Sequence, residues 1–258
     1  TISWHCKLRP PSNRHPPHDR EFLISGRSQT RIERQEALRD MTQPTTSIQD
    51  STVEQVVAFV RAGIIDGNFS PGAKLLPRQI AKTCGTSFIP VREALRVLES
   101  EGFVTFMHNR GGWVTPLSKA DLQDIYMIRI ELECEAVRHA APFTKVEIAH
   151  LDDLLAQSLD RQEHRDHTAL IVLNREFHFS IYEKAGSPRR LGLIDQLWLH
   201  SARYQRLSLN YRHDGADTEH RRVLTKIRRG DHEGAATALK SHLETTVQLM
   251  RMQCYNYL

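Results

Sequence analysis

The chain has 258 residues, 40% hydrophobic and 26% charged, with 35 lysines and arginines against 31 aspartates and glutamates for a formal net charge of +4. That apolar share supports a packed core in one or two domains and excludes a wholly disordered chain. No apolar run approaches the ~18 residues of a membrane span. The four cysteines (Cys6, Cys84, Cys134, Cys254) form no CxxC pair, so a cytoplasmic protein without a disulfide framework or thiolate zinc site is expected.

Residues 1–46 carry a net charge of +3, are rich in Pro, Arg, His and Ser, and lack periodicity. Such a composition does not offset chain entropy by burial, and it predicts a disordered basic extension. It has no apolar core of a secretory signal. The first methionine is Met41, and residues 1–40 are expected to be an upstream extension of little functional value. Residues 47–116 (net +1) and 117–258 (net zero) read as two folded domains.

From Thr52, the residues Val53, Val56, Val57, Val60 and Ile64 recur at helical spacing until Asp66-Gly67 and Ser70-Pro71-Gly72 turn the chain. A short helix follows over 78–83, with Gly85 as the turn out of it. Ser87 then caps a helix that has Pro90 in its first turn and runs to Gly102. Two β-prone runs, 103–106 and 112–115, flank His108–Gly111 as a hairpin. Three helices and a hairpin, with a glycine turn between the second and third helices, describe a winged helix-turn-helix. In that architecture the third helix faces major-groove base edges while the wing and helix ends hold phosphates.

After Ser118 the pattern is helical, over roughly 118–141, 144–161, 165–185, 188–209, 217–229 and 231–252. Ser118-x-x-Asp121 and Thr144-x-x-Glu147 mark helix starts, and Gly186-Ser187-Pro188 and Gly230-Asp231 mark breaks. The fold class is therefore mainly α: a winged helix-turn-helix followed by an all-α bundle. Asn174 and His178 share one helix face, His220 shares a face with Leu224 and Ile227, and His242 lies on the stripe Ala235, Leu239, Thr246, Leu249. Three inward imidazoles on three helices could converge on a divalent cation. Each alone is better explained as a hydrogen-bonded core histidine, and only the three together favour a metal site. His139, His200 and His232 read as structural or exposed.

The stretch Pro90-Val91-Arg92-Glu93-Ala94-Leu95, then Leu98-Glu99-Ser100-Glu101-Gly102-Phe103-Val104 and Asn109-Arg110-Gly111-Gly112-Trp113-Val114, resembles the DNA-binding domain of GntR-family transcription regulators. The resemblance is to the FadR-like branch with an all-helical FCD effector domain, and it covers roughly residues 50–250. It implies DNA-facing roles for Arg78, Ser87, Arg92 and the wing tip Asn109, Arg110, Gly111. Arg96 is a further candidate, its alternative being a solvated helix face paired with Glu99. Two positions depart from the family pattern: Phe88, where an arginine is usual, and Pro77, where a glutamate is usual. The first puts base preference in question, because an arginine–guanine pair discriminates by about 1–3 kcal/mol.

The same resemblance implies a metal set of Asn174, His178, His220 and His242 for a divalent transition metal, zinc before nickel or manganese. Asn174 replaces a frequent aspartate. Three neutral imidazoles and an amide would leave the ion's +2 charge uncompensated, which favours an anionic guest. Arg129 matches a segment whose arginine faces the effector cavity, where a guanidinium holds a carboxylate through two parallel hydrogen bonds; the alternative is a surface pair with Glu133 at i+4. The function implied is that of a homodimeric, ligand-responsive regulator binding a double-stranded DNA operator and a small carboxylate effector, without a membrane. One alternative is a metal-dependent enzyme, against which Glu176 points away from the candidate ligands and no HExxH motif is present. The other is an effector-independent architectural DNA binder, which leaves the histidines unexplained.

Overall fold

A computed structural model describes residues 48–108, 110–164, 167–207 and 216–253. The expectations for residues 1–46 and for Asn109 lie outside the described residues. Backbone contacts divide the chain into two units: residues up to Phe59 with Leu76–Val97, and Val60–Leu75 with Leu98 onward.

The first unit holds most of α1 (Ile48–Ile65), all of α2 (Pro77–Cys84) and most of α3 (Phe88–Ser100). Pro77 opens α2, where its missing N–H has no helical partner to lose. Gly85 closes α2 at φ 62°, a left-handed conformation that an L side chain resists. Val56 and Val57 of α1, Ile80 and Ala81 of α2, and Val91, Ala94 and Leu95 of α3 are buried. Three- and four-residue spacing thus selects one inward stripe on each helix.

In the second unit, β1 (Val104–Met107) pairs antiparallel with β2 (Gly111–Val114), in a register running from Val104 opposite Val114 to Met107 opposite Gly111. Both strands lie one residue off the predicted runs. Phe103 still closes the helix, its N–H donating to the Leu98 carbonyl at 2.9 Å. A third short stretch, just past the turn at Ser70-Pro71-Gly72 and given no strand from sequence, joins the hairpin. Lys74 bridges to Trp113, and the Leu75 N–H donates to the Gly112 carbonyl at 3.0 Å.

Six helices follow: α4 (Lys119–Arg138), α5 (Lys145–Glu163), α6 (His167–Tyr182) with a 3-10 turn at Glu183–Ala185, α7 (Pro188–Leu207), α8 (Ala216–Arg228) and α9 (His232–Gln253). The predicted starts hold. Ser118 Oγ accepts from the Asp121 N–H, and Thr144 with Glu147 forms a reciprocal capping box. Gly230, at φ 67°, ends α8, and Asp231 caps α9 through the Gly234 N–H at 2.8 Å. The helices enclose one core, including Leu122, Tyr126, Leu151, Phe177, Trp198, Leu224 and Leu239. Within it α9 packs on α4 and α8, α5 on α6, and α4 on α7. Among the described residues no helix is long and apolar enough to cross a membrane.

Candidate functional site

Three helices each turn one histidine into this core. His178 on α6 is 1% exposed, His220 on α8 2% and His242 on α9 6%. Their neighbours Phe177, Leu224 and Leu239 are buried too, so the stripes that bury the helices also carry the imidazoles inward. One nitrogen from each ring lies within 4.8 Å of the others, and His178 Nε2 is 3.1 Å from His220 Nε2. Asn174 is half-buried, one helical turn before His178.

Hydrogen bonds behind the rings set their tautomers. The Tyr182 hydroxyl donates to Glu133 Oε2 at 2.5 Å, so its oxygen accepts from His178 Nδ1–H at 2.8 Å. That assignment leaves a lone pair on His178 Nε2, facing His220. Burial, with His220, His242 and Arg129 adding to it, holds His178 well below its ordinary pKa, so the ring is neutral. Burial and then Glu133 push Tyr182 well above 10, which keeps its proton available to Glu133. His242 Nδ1 lies 2.8 Å from Glu219 Oε2, a second carboxylate behind a second imidazole.

This donor set fits a metal. In tetrahedral zinc with bonds of about 2.0–2.1 Å, two nitrogens sit roughly 3.3 Å apart, close to the 3.1 Å between His178 and His220. Hydrogen-bonded partners on the outer nitrogens are what metal-ligating imidazoles ordinarily have. The expected charge balance is corrected, however. Glu219, directly behind His242, would offset one unit of the ion's charge, whereas Glu133, behind His178 through Tyr182, is already paired with Arg129.

The surface pair considered for Arg129 is also corrected. Arg129 and Glu133 are 1% and 0% exposed, with Arg129 Nε donating to Glu133 Oε1 at 2.6 Å. Arg129 Nη1 donates to Ser201 Oγ at 2.8 Å, and the guanidinium lies 4.2 Å from the Trp198 ring and 4.8 Å from the Tyr126 ring. Burial, the largest single influence, would lower its pKa, but the charge and hydrogen bond of Glu133 together with Tyr126 and Tyr182 outweigh it and raise the pKa.

Sequence reasoning did not single out Tyr182, Ser201 or Glu219 for this network, and it named Glu133 only as a surface partner of Arg129. Tyr182 stands four residues after His178 and Glu133 four after Arg129, so the helical period held that signal. Glu219 adjoins His220 in sequence. Ser201 arrives from 72 residues away, and nothing local announces it. The other histidines stay outside the cluster. His139 is exposed beside Glu135, His232 Nδ1 approaches the Val137 carbonyl at 3.3 Å, and His200 stacks on Phe103 with Nε2 2.7 Å from the Glu101 carbonyl. Glu176 is exposed, 3.8 Å from His150. A cleft of about 410 Å³ between α8 and α9 reaches the outer side of His242, with Arg222, Lys226 and Ser241 on its walls.

In the first unit, Arg78, Ser87, Arg92 and Arg96 are exposed, and the Arg92 guanidinium lies 5.8 Å over the Phe88 ring. Among the described residues Arg96 and Glu99 form no ion pair. In the second unit, Arg110 is exposed at the hairpin turn and Gly111 has φ 86°.

Residues 52–114 match bacterial regulatory proteins of the gntR family, and residues 124–245 match the FCD domain. The chain is 29% identical to the HTH-type transcriptional regulator McbR of Escherichia coli K12, over 74% of this chain and 88% of that one. It is 27% identical to the uncharacterized HTH-type transcriptional regulator YdhC of Bacillus subtilis 168, over 69% of this chain and 82% of that one. The solved structure of E. coli McbR/YncC superposes with a TM-score of 0.68 at 26% identity, covering 78% of this chain and 98% of that one. A transcriptional regulator GntR of Rhodococcus sp. RHA1 gives 0.66 at 25% identity, covering 78% and 97%.

Proposed function

Because the chain belongs to the GntR family of bacterial regulatory proteins, carries an FCD domain and is a DNA-binding transcription regulator rather than an enzyme, we propose that a small carboxylate, bound at a metal centre in its helical domain, sets its affinity for an operator. The observation that carries this reading is the convergence of three buried imidazoles, two of them hydrogen-bonded on their outer nitrogens. His178, His220 and His242 are the nitrogen ligands and Asn174 an oxygen donor, for zinc first and nickel or manganese next. The ion supplies positive charge and an open coordination position for an anion. Arg129 is the second positive group of the pocket, linked to His178 through Glu133 and Tyr182.

On the DNA side, Arg78, Ser87, Arg92 and Arg96 are read as contacts from the helix-turn-helix. Asn109, Arg110 and Gly111 are read as contacts from the wing, within a DNA reader of residues 47–116 and a helical effector domain of residues 117–258. A homodimer places two recognition helices about one DNA turn apart on a near-palindromic operator in the cytoplasm. The guest changes operator affinity only by as much as it binds the two orientations of the reader differently.

Native mass spectrometry of the purified full chain tests the whole reading at once. A dimer with one metal ion per chain and a retained small acid is expected, with the ion lost from His178→Ala. A protein that takes up no zinc, and retards the same promoter fragment equally with and without chelator, would overturn the sensing half.

A further inference from the structure

The buried stripe of α3 is Val91, Ala94, Leu95 and Leu98. Phe88, Arg92 and Arg96, each four residues from the next, form an exposed stripe on the same helix. Phe88 leads that stripe with 45% of its surface in solvent, and its neighbour Ile89 is 61% exposed. Single exposed apolar side chains need no explanation, but these are adjacent and stand at the leading end of the helix. In a helix-turn-helix, that end of the recognition helix contacts base edges. The Arg92 guanidinium, 5.8 Å over the Phe88 ring, places cation and ring side by side on the surface offered to the groove.

A phenyl ring offers no hydrogen bond, and the major groove presents one apolar feature, the thymine C5-methyl group. We propose that Phe88 is a specificity-determining residue that packs its ring on the methyl group of one thymine in each operator half-site, beside the base or phosphate held by Arg92. The inference rests on α3 being the helix that enters the groove, and it goes beyond general operator binding by naming a base and the atom read. Burying one methyl group contributes about as much as one buried methylene. Its removal therefore weakens binding about fourfold per half-site and about fifteenfold when both half-sites are changed.

The test starts with selection of preferred duplexes from a random-sequence library by the full chain. Each thymine of the selected sequence is then replaced in turn by deoxyuridine, which removes the methyl group and leaves the hydrogen-bonding edge unchanged. Wild type should lose about fourfold at each of two symmetry-related positions, and about fifteenfold when both are replaced. Phe88→Ala should bind the thymine and deoxyuridine duplexes alike, while Phe88→Leu, which keeps an apolar contact, should still favour thymine. Thermal unfolding of Phe88→Ala should match wild type, since the ring is half in water. Wild-type indifference to every replacement, or a selected half-site without thymine, would overturn the proposal. So would an undiminished thymine preference in Phe88→Ala, or its transfer to Ile89→Ala as the insensitive variant. Failure of wild type to retain any duplex is a different result, and it would overturn operator binding itself.

Discussion

Arg129 and Glu133 offer the sharpest test of the buried network, because one partner of the pair can be removed and then both. In Arg129→Met the Glu133 carboxylate, 0% exposed, keeps the Tyr182 hydroxyl as its hydrogen-bond partner among the described residues. Breaking a buried ion pair in this way costs about 3–5 kcal/mol, because a charge is left desolvated without compensation. At about 2–4 °C per kcal/mol for a domain of this size, the midpoint of thermal unfolding should fall by roughly 6–20 °C. Adding Glu133→Gln removes the stranded charge while leaving an amide oxygen for Tyr182. Replacing both partners of a buried pair is often close to neutral, so the double variant should recover to within about 1–2 kcal/mol of wild type. The assay is circular dichroism melting of chelator-treated full chain, which separates folding from metal binding. A single variant costing less than about 1 kcal/mol, or a double variant costing more than the single, would refute the buried-pair reasoning.

Other outcomes follow from the same geometry. Glu219→Gln should weaken zinc binding about 10–100-fold in a chelator competition, the usual loss when an outer-shell partner of a metal-bound imidazole is removed. Zinc at a hundred times its dissociation constant should stabilise wild type by about 2.7 kcal/mol, and His220→Ala should abolish that gain in the melting curve. Arg110→Ala should lower the slope of log K against log salt for DNA binding by about 0.9 if Arg110 contacts one phosphate. Glu147 is held down from 4.5 to about 2, first by Lys184 and then by Thr144. Its folded pKa is the lower one, so its contribution is complete above about pH 4.5 and drains away as pH falls toward 2. Glu147→Gln should flatten stability across that acid window.

The helices were legible because burial and periodicity coincide in them. Ser118 and Thr144 announced their caps through a first-turn acid, and Gly186 and Gly230 marked breaks that the backbone honours. The three histidines were legible for the same reason, since each sat on an apolar stripe whose inward face is fixed by its neighbours. The bridge from Lys74 to Trp113 was not legible, because a single ladder pair just past a turn leaves no alternation to read. The depth of Arg129 escaped for a related reason. An arginine with a glutamate at i+4 looks the same on a wet surface as in a core, and only the rings of Tyr126 and Trp198, one of them from a distant helix, decide between the two.

Helix α7 has a consequence for how the second unit responds to force. Trp198 and Ser201 face the buried guanidinium of Arg129. On the other side of the same two turns, His200 holds the Glu101 carbonyl, Arg203 donates to the Thr115 carbonyl, and Tyr204 bonds Ser118 and Asp121. The segment is therefore an axle gripped from two sides, with little backlash. A slide or roll of about one ångström suffices to part hydrogen bonds of 2.7–2.8 Å on either flank. A shift that parts Arg129 from Ser201 therefore acts on the same helical segment that holds Glu101, Thr115 and Ser118 at the foot of the hairpin.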